Sequence, residues 1–426
     1  ANAHVGHAFV FTSFDVLAAY MRHLGEKVVY VQNLTDIDDD VLKRAKAQGK
    51  NWKVFGEKHA QKFFREMKWL NNAQPDFYPK ATDHVQEMIV IIEKLLKRGV
   101  AYVKNGCVYF EVKKDREYGK LSLFSKNTML KIANERGNYP DDPNKRDPLD
   151  FVLWQAKKEG EPSWPSPWGR GRPGWHIECS AISMKYLGDQ IDIHTGGVDH
   201  IPVHHSNEIA QAEAGYKKNL ANYWLHNEHL TVDSQKMSKS EGNFFTVRDI
   251  FDKGIDPAVL RYELLKSHYR SNMNFTQKGL EESASAVRRL RNFYAKVQSA
   301  GSQEKIEVDL THPIVLSFCQ CLGDDLNVSG ALAVVFSWIS DWEKSPTSAA
   351  EAAAVLKAVD SVIGVLEPSQ SAAGLDDQVV AQCKQIDQAR QAKDFATADQ
   401  LRQQLVEQGY EVLQTKKGTV AQKKLA

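Results

Sequence analysis

Two short stretches of this 426-residue sequence gather side chains that suit a polyphosphate. The first is HVGH, His4 to His7, where two imidazoles flank a glycine just ahead of an amphipathic run. At a helix start the backbone N–H groups and the macrodipole already favour an anion. Gly6 would let a nucleotide approach the backbone closely. Two histidines around a glycine are equally an ordinary surface turn, and the motif alone leaves both readings open. The second stretch is KMSKS, Lys236 to Ser240, followed by EGN. Lys236 and Lys239, three apart on a hydroxyl-rich loop, can clamp a pyrophosphate and meet charge that develops as an α-phosphate is attacked. A solvated loop is the plain alternative, which five specified residues in a row weaken.

Elements must hold these motifs. From about Phe9 to Leu24 apolar residues recur at three and four, with Gly25 as a stop, which predicts an amphipathic helix. KVVYVQN then predicts a buried parallel strand, so the order is turn, helix, strand. A first strand should precede the turn, and residue 1 falls where its end ought to be. NLTDIDDD opens another helix with Thr35 or Asp36 as N-cap; its acids suit a helix start, and a substrate role for Thr35 stays open beside that. YVKNGCVYFEV predicts a hairpin around Asn105-Gly106. The Pro-, Gly- and Trp-rich stretches NYPDDPNKRDPLD and EPSWPSPWGRGRPGW predict ordered loops, because so much aromatic surface needs cover. Residues 190 to 232 resume alternating strand-like and helix-like segments. Beyond about 250 the pattern is helical, with polar breaks at 298 to 305 and 367 to 374 and a small terminal module of two helices and a β-like tail.

Composition narrows the class. Lys plus Arg number 55 against 54 Asp plus Glu, so a polyanion site has to be a local patch. With 42% hydrophobic residues and no apolar run near membrane-spanning length, a folded, cytoplasmic, non-membrane protein is expected. Five irregularly spaced cysteines give no disulfide framework.

HVGH with KMSKS resembles the signature pair of class I aminoacyl-tRNA synthetases. NLTDIDDD, DFVLW, EGEPSWPSPWG with GRPGWHIECSA, DIHTGG, HHSNEIAQ and KMSKSEGNFFTVRD resemble the cysteinyl-tRNA synthetase family, in the same order over nearly the whole chain. The resemblance implies an α/β fold: a Rossmann-like parallel-sheet catalytic domain (1–70 and 160–250) split by a connective insertion (71–159). Stem-contact helices (251–303), a helical bundle (304–370) and an anticodon-recognition module (371–426) would follow. It implies ATP with Mg²⁺, with His4, Gly6, His7, Lys236, Met237 and Lys239 as nucleotide contacts. His4, His7, Lys236 and Lys239 would be catalytic.

Cys179, His204 and Glu208 offer one sulfur, one nitrogen and one oxygen, all acceptable to zinc. His204 and Glu208 are four apart and face the same way on a helix. Such a set is also common as mere structure; the resemblance identifies the three as ligands of one zinc ion per chain. The family's fourth ligand is a cysteine several residues before the HxGH turn, so missing N-terminal sequence carrying it is expected. The resemblance further implies that Trp175 walls the side-chain pocket for L-cysteine, that Thr35 and Asp199 hold the α-amino end, and that His176, His194 and His205 surround the metal. Direct thiolate coordination would select cysteine over serine, which an apolar pocket could separate by only about 1–3 kcal/mol.

In the terminal module, Arg390, Lys393 and Arg402 accompany Phe395, Ala398, Leu401 and Leu405 as helix-packing residues. Basic groups with an aromatic suit phosphates and a splayed base, and the resemblance implies that these belong to tRNA(Cys); a solvated helix face is the alternative. Where many family members carry tryptophans in the second helix and near the tail, this sequence has Phe395 and GTVAQ. A monomer is expected. The expected activity is cysteine–tRNA ligation. Transfer of activated cysteine to an amino sugar and a catalytically inactive tRNA-binding paralogue are the alternatives.

Overall fold

The structure is a computed structural model that describes residues 3–135, 139–238, 242–300, 310–366, 377–392, 394–408, 410–415 and 418–423. The chain folds as two compact units, Ala1–Glu26 with Phe63–Ala73 and Leu230–Ala426, and Lys27–Lys62 with Gln74–His229.

In the first unit the opening helix spans Val5–His23 and begins where His4 Nδ1 accepts the His7 N–H at 3.2 Å. Backbone bonds tie its start down: Val5 N–H donates to Phe245 O at 3.1 Å, and Val247 N–H donates to Ala3 O at 3.0 Å. Gly25, at φ 86°, ends the helical run, a left-handed position that glycine takes without a Cβ penalty. A three-stranded sheet sets Leu230–Val232 between antiparallel Gln235–Lys236 and parallel Met273–Phe275. Helices Pro257–Leu265, Gln277–Ala300, Pro313–Gly323, Val328–Lys344 and Ala349–Ile363 supply most of the core, with Leu260, Leu264, Phe293, Val335 and Leu356 buried.

One buried cation joins the discontinuous pieces of this unit. Arg261 donates to Ile363 O (2.5 Å), Leu70 O (3.0 Å), Asn72 Oδ1 (2.7 Å) and Asp15 Oδ2 (2.7 Å). Asp15 Oδ1 in turn accepts the Ala73 N–H at 2.7 Å. Within the same unit, helices Asp377–Gln391 and Phe395–Glu407 and the hairpin Tyr410–Thr415/Gly418–Lys423 close over Val379, Ile386, Ala398, Leu405 and Val412.

The second unit carries the parallel pair Ile191–Gly197 and Ala221–Asn227, connected through helix Ser206–Tyr216. An antiparallel sheet runs Ala101–Lys104, Cys107–Phe110, Phe151–Ala156, Gly171–Pro173. Its first turn is the predicted hairpin, with Asn105 and Gly106 both at positive φ (51° and 76°). Helices Val85–Lys97 and Trp175–Leu187 pack on a core of Met88, Ile92, Phe110, Phe151, Trp154 and Ile177. The Pro-rich loop is anchored by polar contacts: Tyr102 and Tyr109 hydroxyls donate to Asp150 and Asp142 at 2.8 and 2.7 Å. No helix among the described residues is long and apolar enough to cross a membrane.

Two local expectations change. KVVYVQN is not a buried strand: Val29 is exposed, and among the described residues the segment makes one isolated parallel bridge, Val31 with Phe77, with Leu34 just beyond it bridging Lys80. Its backbone hydrogen bonds to described residues include those with Asp76 and Phe77, and a strand is buried by neighbours on both sides. The N-cap of helix Asp39–Ala47 is Asp38, not Thr35 or Asp36, because Asp38 Oδ1 accepts the Val41 N–H at 2.6 Å. Asp36 instead holds the next segment, accepting from the Thr82 N–H and hydroxyl at 3.0 and 2.6 Å.

Candidate nucleotide and metal sites

In the first unit the helix start brings His4 and His7 together, rings stacked with centroids 3.6 Å apart. Phe244 meets His4 edge-on at 5.4 Å. Gly6 lies under this pair: a Cβ there would be 3.1 Å from His4 Nδ1 and 3.8 Å from Met237 Cε. Met237, from the lysine-rich loop, therefore reaches the histidine turn, and two motifs some 230 residues apart in sequence share one surface. Lys236 is exposed on the short edge strand. Asn243 braces the loop, its Oδ1 accepting the Ser238 N–H at 2.8 Å and its Nδ2 donating to Lys236 O at 3.2 Å. Lys239 lies outside the described residues. A half-buried and an exposed imidazole, helix-start N–H groups and an exposed lysine together can contact a polyphosphate.

The second unit brings the sulfur, nitrogen and oxygen donors together. Cys179 comes from helix Trp175–Leu187, Glu208 from the first turn of Ser206–Tyr216, and His204 from a π-turn, Ile201–His205, that feeds it. Such turns often mark functional sites. The three donor atoms lie within 4.8 Å of one another, with His204 Nε2 3.5 Å from Glu208 Oε2. His204 Nδ1 is engaged by His176 Nδ1 at 2.8 Å, which leaves Nε2 facing the carboxylate. Asn33 Nδ2 donates to Cys179 Sγ at 3.4 Å.

Electrostatics favour a cation here. Burial pushes His204 and His205 well below the usual imidazole range and His176 down to about 3, so these rings are neutral ligands or acceptors. Burial, with Glu208 and Glu178 nearby, pushes the Cys179 thiol well up. Against the upward push of its own burial, His194 beside it, also its hydrogen-bond partner, holds the Glu208 carboxyl low. Glu208 is fully buried, and its Oε1 has no hydrogen-bond partner. A divalent ion would satisfy that oxygen and lower the thiol pKa that burial raises. The donor set fits zinc.

Around these donors stand the other candidates. Trp175 lies 4.5 Å from the His204 ring and 5.1 Å from that of His176. His194 Nε2 is 3.2 Å from Glu208 Oε2, and His205 Nε2 is 3.8 Å from the same oxygen. Asp199 folds over Gly197, whose added Cβ would sit 2.4 Å from Asp199 Oδ1. Thr35 hydrogen-bonds with Glu178, a buried carboxyl that burial pushes well up.

Four more residues belong here. His200 packs against Trp175, His204 and His205 at 6.0, 5.1 and 5.3 Å. His226 Nε2 is 2.7 Å from His205 Nδ1, while Trp224 contacts both His194 and His205. Asn33 completes the set. The alternation of Trp224 and His226 in NYWLHN is the sequence signal that would have found two of them. Register does the rest, setting Trp224 opposite His194 and His226 opposite Gly196.

In the terminal module Phe395 does not pack between the helices: it is 63% exposed, since it occupies the first helical position, ahead of the seam formed by Ala398 and Leu405. Arg390 donates to Gln414 Oε1 at 2.6 Å, Arg402 is exposed, and Lys393 lies outside the described residues.

Residues 1–285 match the family model for the tRNA synthetases class I (C) catalytic domain. The fold agrees: a Mycobacterium tuberculosis methionyl-tRNA synthetase in complex with methionyl-adenylate superposes with a TM-score of 0.60 at 14% identity, covering 100% of this chain and 96% of that one. Closer in sequence, a cysteine–tRNA ligase of Caldicellulosiruptor saccharolyticus is 40% identical, covering 98% of this chain and 91% of the relative. One from Haemophilus influenzae is 42% identical over 95% of this chain and 89% of its own. The chain belongs to the cysteinyl-tRNA synthetase family of class I aminoacyl-tRNA synthetases.

Proposed function

We propose that this chain, an aminoacyl-tRNA synthetase by family, is a cysteine–tRNA ligase that selects its amino acid through zinc held by Cys179, His204 and Glu208. The observation that carries the zinc reading is the convergence of sulfur and nitrogen donors on a buried carboxylate whose Oε1 has no partner. Bound zinc would supply thiolate coordination, which serine's hydroxyl cannot match at neutral pH because a thiol ionises near 8.5 and a metal lowers that further.

The chain's own residues do the remaining work. His176 fixes the His204 ring through its Nδ1, so the ligand nitrogen is already aimed. Trp175 walls the side-chain pocket, and Thr35 with Asp199 takes the α-ammonium group. His194 and His205 surround the metal beside the Glu208 carboxylate, His194 Nε2 standing 3.2 Å from its Oε2. The cysteine carboxylate attacks the α-phosphorus of ATP, bound with Mg²⁺; cysteinyl-adenylate forms and pyrophosphate leaves. His4, Gly6, His7 and Met237 contact the nucleotide, and Lys236 and Lys239 meet the charge of the transition state. The terminal ribose hydroxyl of tRNA(Cys) then takes the cysteinyl group and AMP leaves.

Residues 1–70 and 160–250 act as the catalytic domain, 71–159 as the connective insertion, 251–303 as stem-contact helices, 304–370 as a helical bundle and 371–426 as the anticodon reader. Exposed Phe395 with Arg390, Lys393 and Arg402 suits a splayed base and its phosphates. The protein works as a monomer in the cytoplasm.

Cysteine-dependent exchange of pyrophosphate into ATP, followed by charging of tRNA, tests this reading. Exchange with cysteine but not serine, and cysteine recovered on tRNA, is the expected result. Exchange followed by transfer only to an amino sugar, or no exchange at all in zinc-loaded protein, contradicts it.

A further inference from the structure

We propose that His194, His205 and Glu208 form a second position for a divalent, zinc-class cation, sharing the Glu208 carboxylate with the Cys179 and His204 set. His194 Nε2 and His205 Nε2 stand 3.2 and 3.8 Å from Glu208 Oε2, and the three donor atoms lie within 4.8 Å of one another. Nitrogen and oxygen ligands about 2.0–2.1 Å from a tetrahedral ion stand about 3.4 Å apart, and the two distances to Glu208 Oε2, 3.2 and 3.8 Å, bracket that value.

The surroundings orient this set as a metal site requires. His205 Nδ1 is engaged by His226 Nε2 at 2.7 Å, which fixes the ring and turns Nε2 toward the carboxylate. The His194 ring is held edge-on by Trp224, with centroids 4.7 Å apart. His205 is 1% exposed and Glu208 fully buried, so this is no accidental cluster of surface histidines. Glu208 Oε1 has no hydrogen-bond partner, so the carboxylate keeps an acceptor oxygen beyond the Oε2 that His194 and His205 face. One carboxylate has lone pairs enough to face two ions.

The two sets differ in chemistry. Cys179 brings a thiolate to the first, which favours zinc strongly; the second has two imidazoles and a shared carboxylate, so it binds more weakly and fills only when metal is in excess. The proposal rests on the zinc reading only through the shared Glu208.

Cobalt titration of the metal-free full chain, with ions counted by native mass spectrometry, tests it. Two ions per chain are expected. The first brings thiolate-to-cobalt charge-transfer absorption, and the second adds visible d–d bands with no further charge transfer. His194→Ala and His205→Ala each reduce the count from two to one with charge transfer intact, whereas Cys179→Ser keeps the second ion and loses the charge transfer. A single ion with thiolate charge transfer at saturation overturns the proposal, as do two ions persisting in both histidine variants. Absence of thiolate charge transfer at every loading would instead overturn the Cys179 reading alone. The wild-type titration needs no variant to fold.

Discussion

His204 and Glu208, one helical turn apart, face each other at 3.5 Å, and the far nitrogen of His204 is already taken by His176 at 2.8 Å. The pair is thus oriented before any ion arrives, and Cys179 supplies the donor that makes the set selective for a soft-to-borderline metal. Removing that sulfur should be decisive. Cys179→Ser is expected to lose the first zinc equivalent and cysteine-dependent pyrophosphate exchange together; retention of both in a folded variant would remove Cys179 from the site.

The phosphate clamp gives a separate test. Lys236→Ala and Lys239→Ala are expected to lower cysteine-dependent pyrophosphate exchange by about 10²-fold each, the loss seen when a group stabilising transition-state charge is deleted. Thermal midpoint should stay unchanged, since Lys236 is exposed. A drop in exchange that tracked a drop in thermal midpoint would mean a structural role.

Gly196 tests whether the imidazole cluster needs its packing. A Cβ there would sit 2.7 Å from His205 Cε1 and 3.1 Å from His200 Nδ1. Both rings are crowded on their other sides, so Gly196→Ala should displace His205 and weaken cysteine activation while circular dichroism stays that of the parent. Unchanged kinetics would show that His205 can move without consequence.

The pair Asp15 and Arg261 concerns the fold alone. Asp15→Ala would leave Arg261, 2% exposed, without its carboxylate, and removing one member of such a pair costs about 3–5 kcal/mol. Urea unfolding at neutral pH measures this, and a loss under about 1 kcal/mol would mean that the three carbonyl-type acceptors of Arg261 suffice.

Acid should destabilise the metal-free protein through its buried imidazoles. Burial lowers His176 to about 3 and His226 to about 4, while unfolded imidazoles titrate near 6.5. Between about pH 6.5 and 4 the unfolded chain binds more protons, so stability falls as pH falls through that window. A urea midpoint that is flat from pH 7 to 4 would contradict the burial argument. His226→Gln should reduce the slope.

Much of this was legible in the sequence where the relationship is local. The helix behind HVGH, which begins at Val5 rather than about Phe9, His204 and Glu208 on one face, and the Asn105-Gly106 turn all follow from spacing of four residues or fewer. What escaped depends on distant chain. His200 and His226 join the site only through the π-turn and the register of Ile191–Gly197 against Ala221–Asn227. KVVYVQN has a strand's composition, yet among the described residues it forms an isolated bridge, Val31 with Phe77, and composition does not encode partners. Phe395 has a core residue's character at a position that precedes the seam.

The central claim is that substrate sulfur meets a metal held by Cys179, His204 and Glu208. X-ray absorption at the zinc edge, with and without L-cysteine, tests it most directly. One additional zinc–sulfur scatterer at about 2.3 Å on adding cysteine, and none on adding serine, is the result this account predicts. A zinc shell unchanged by saturating cysteine would contradict it.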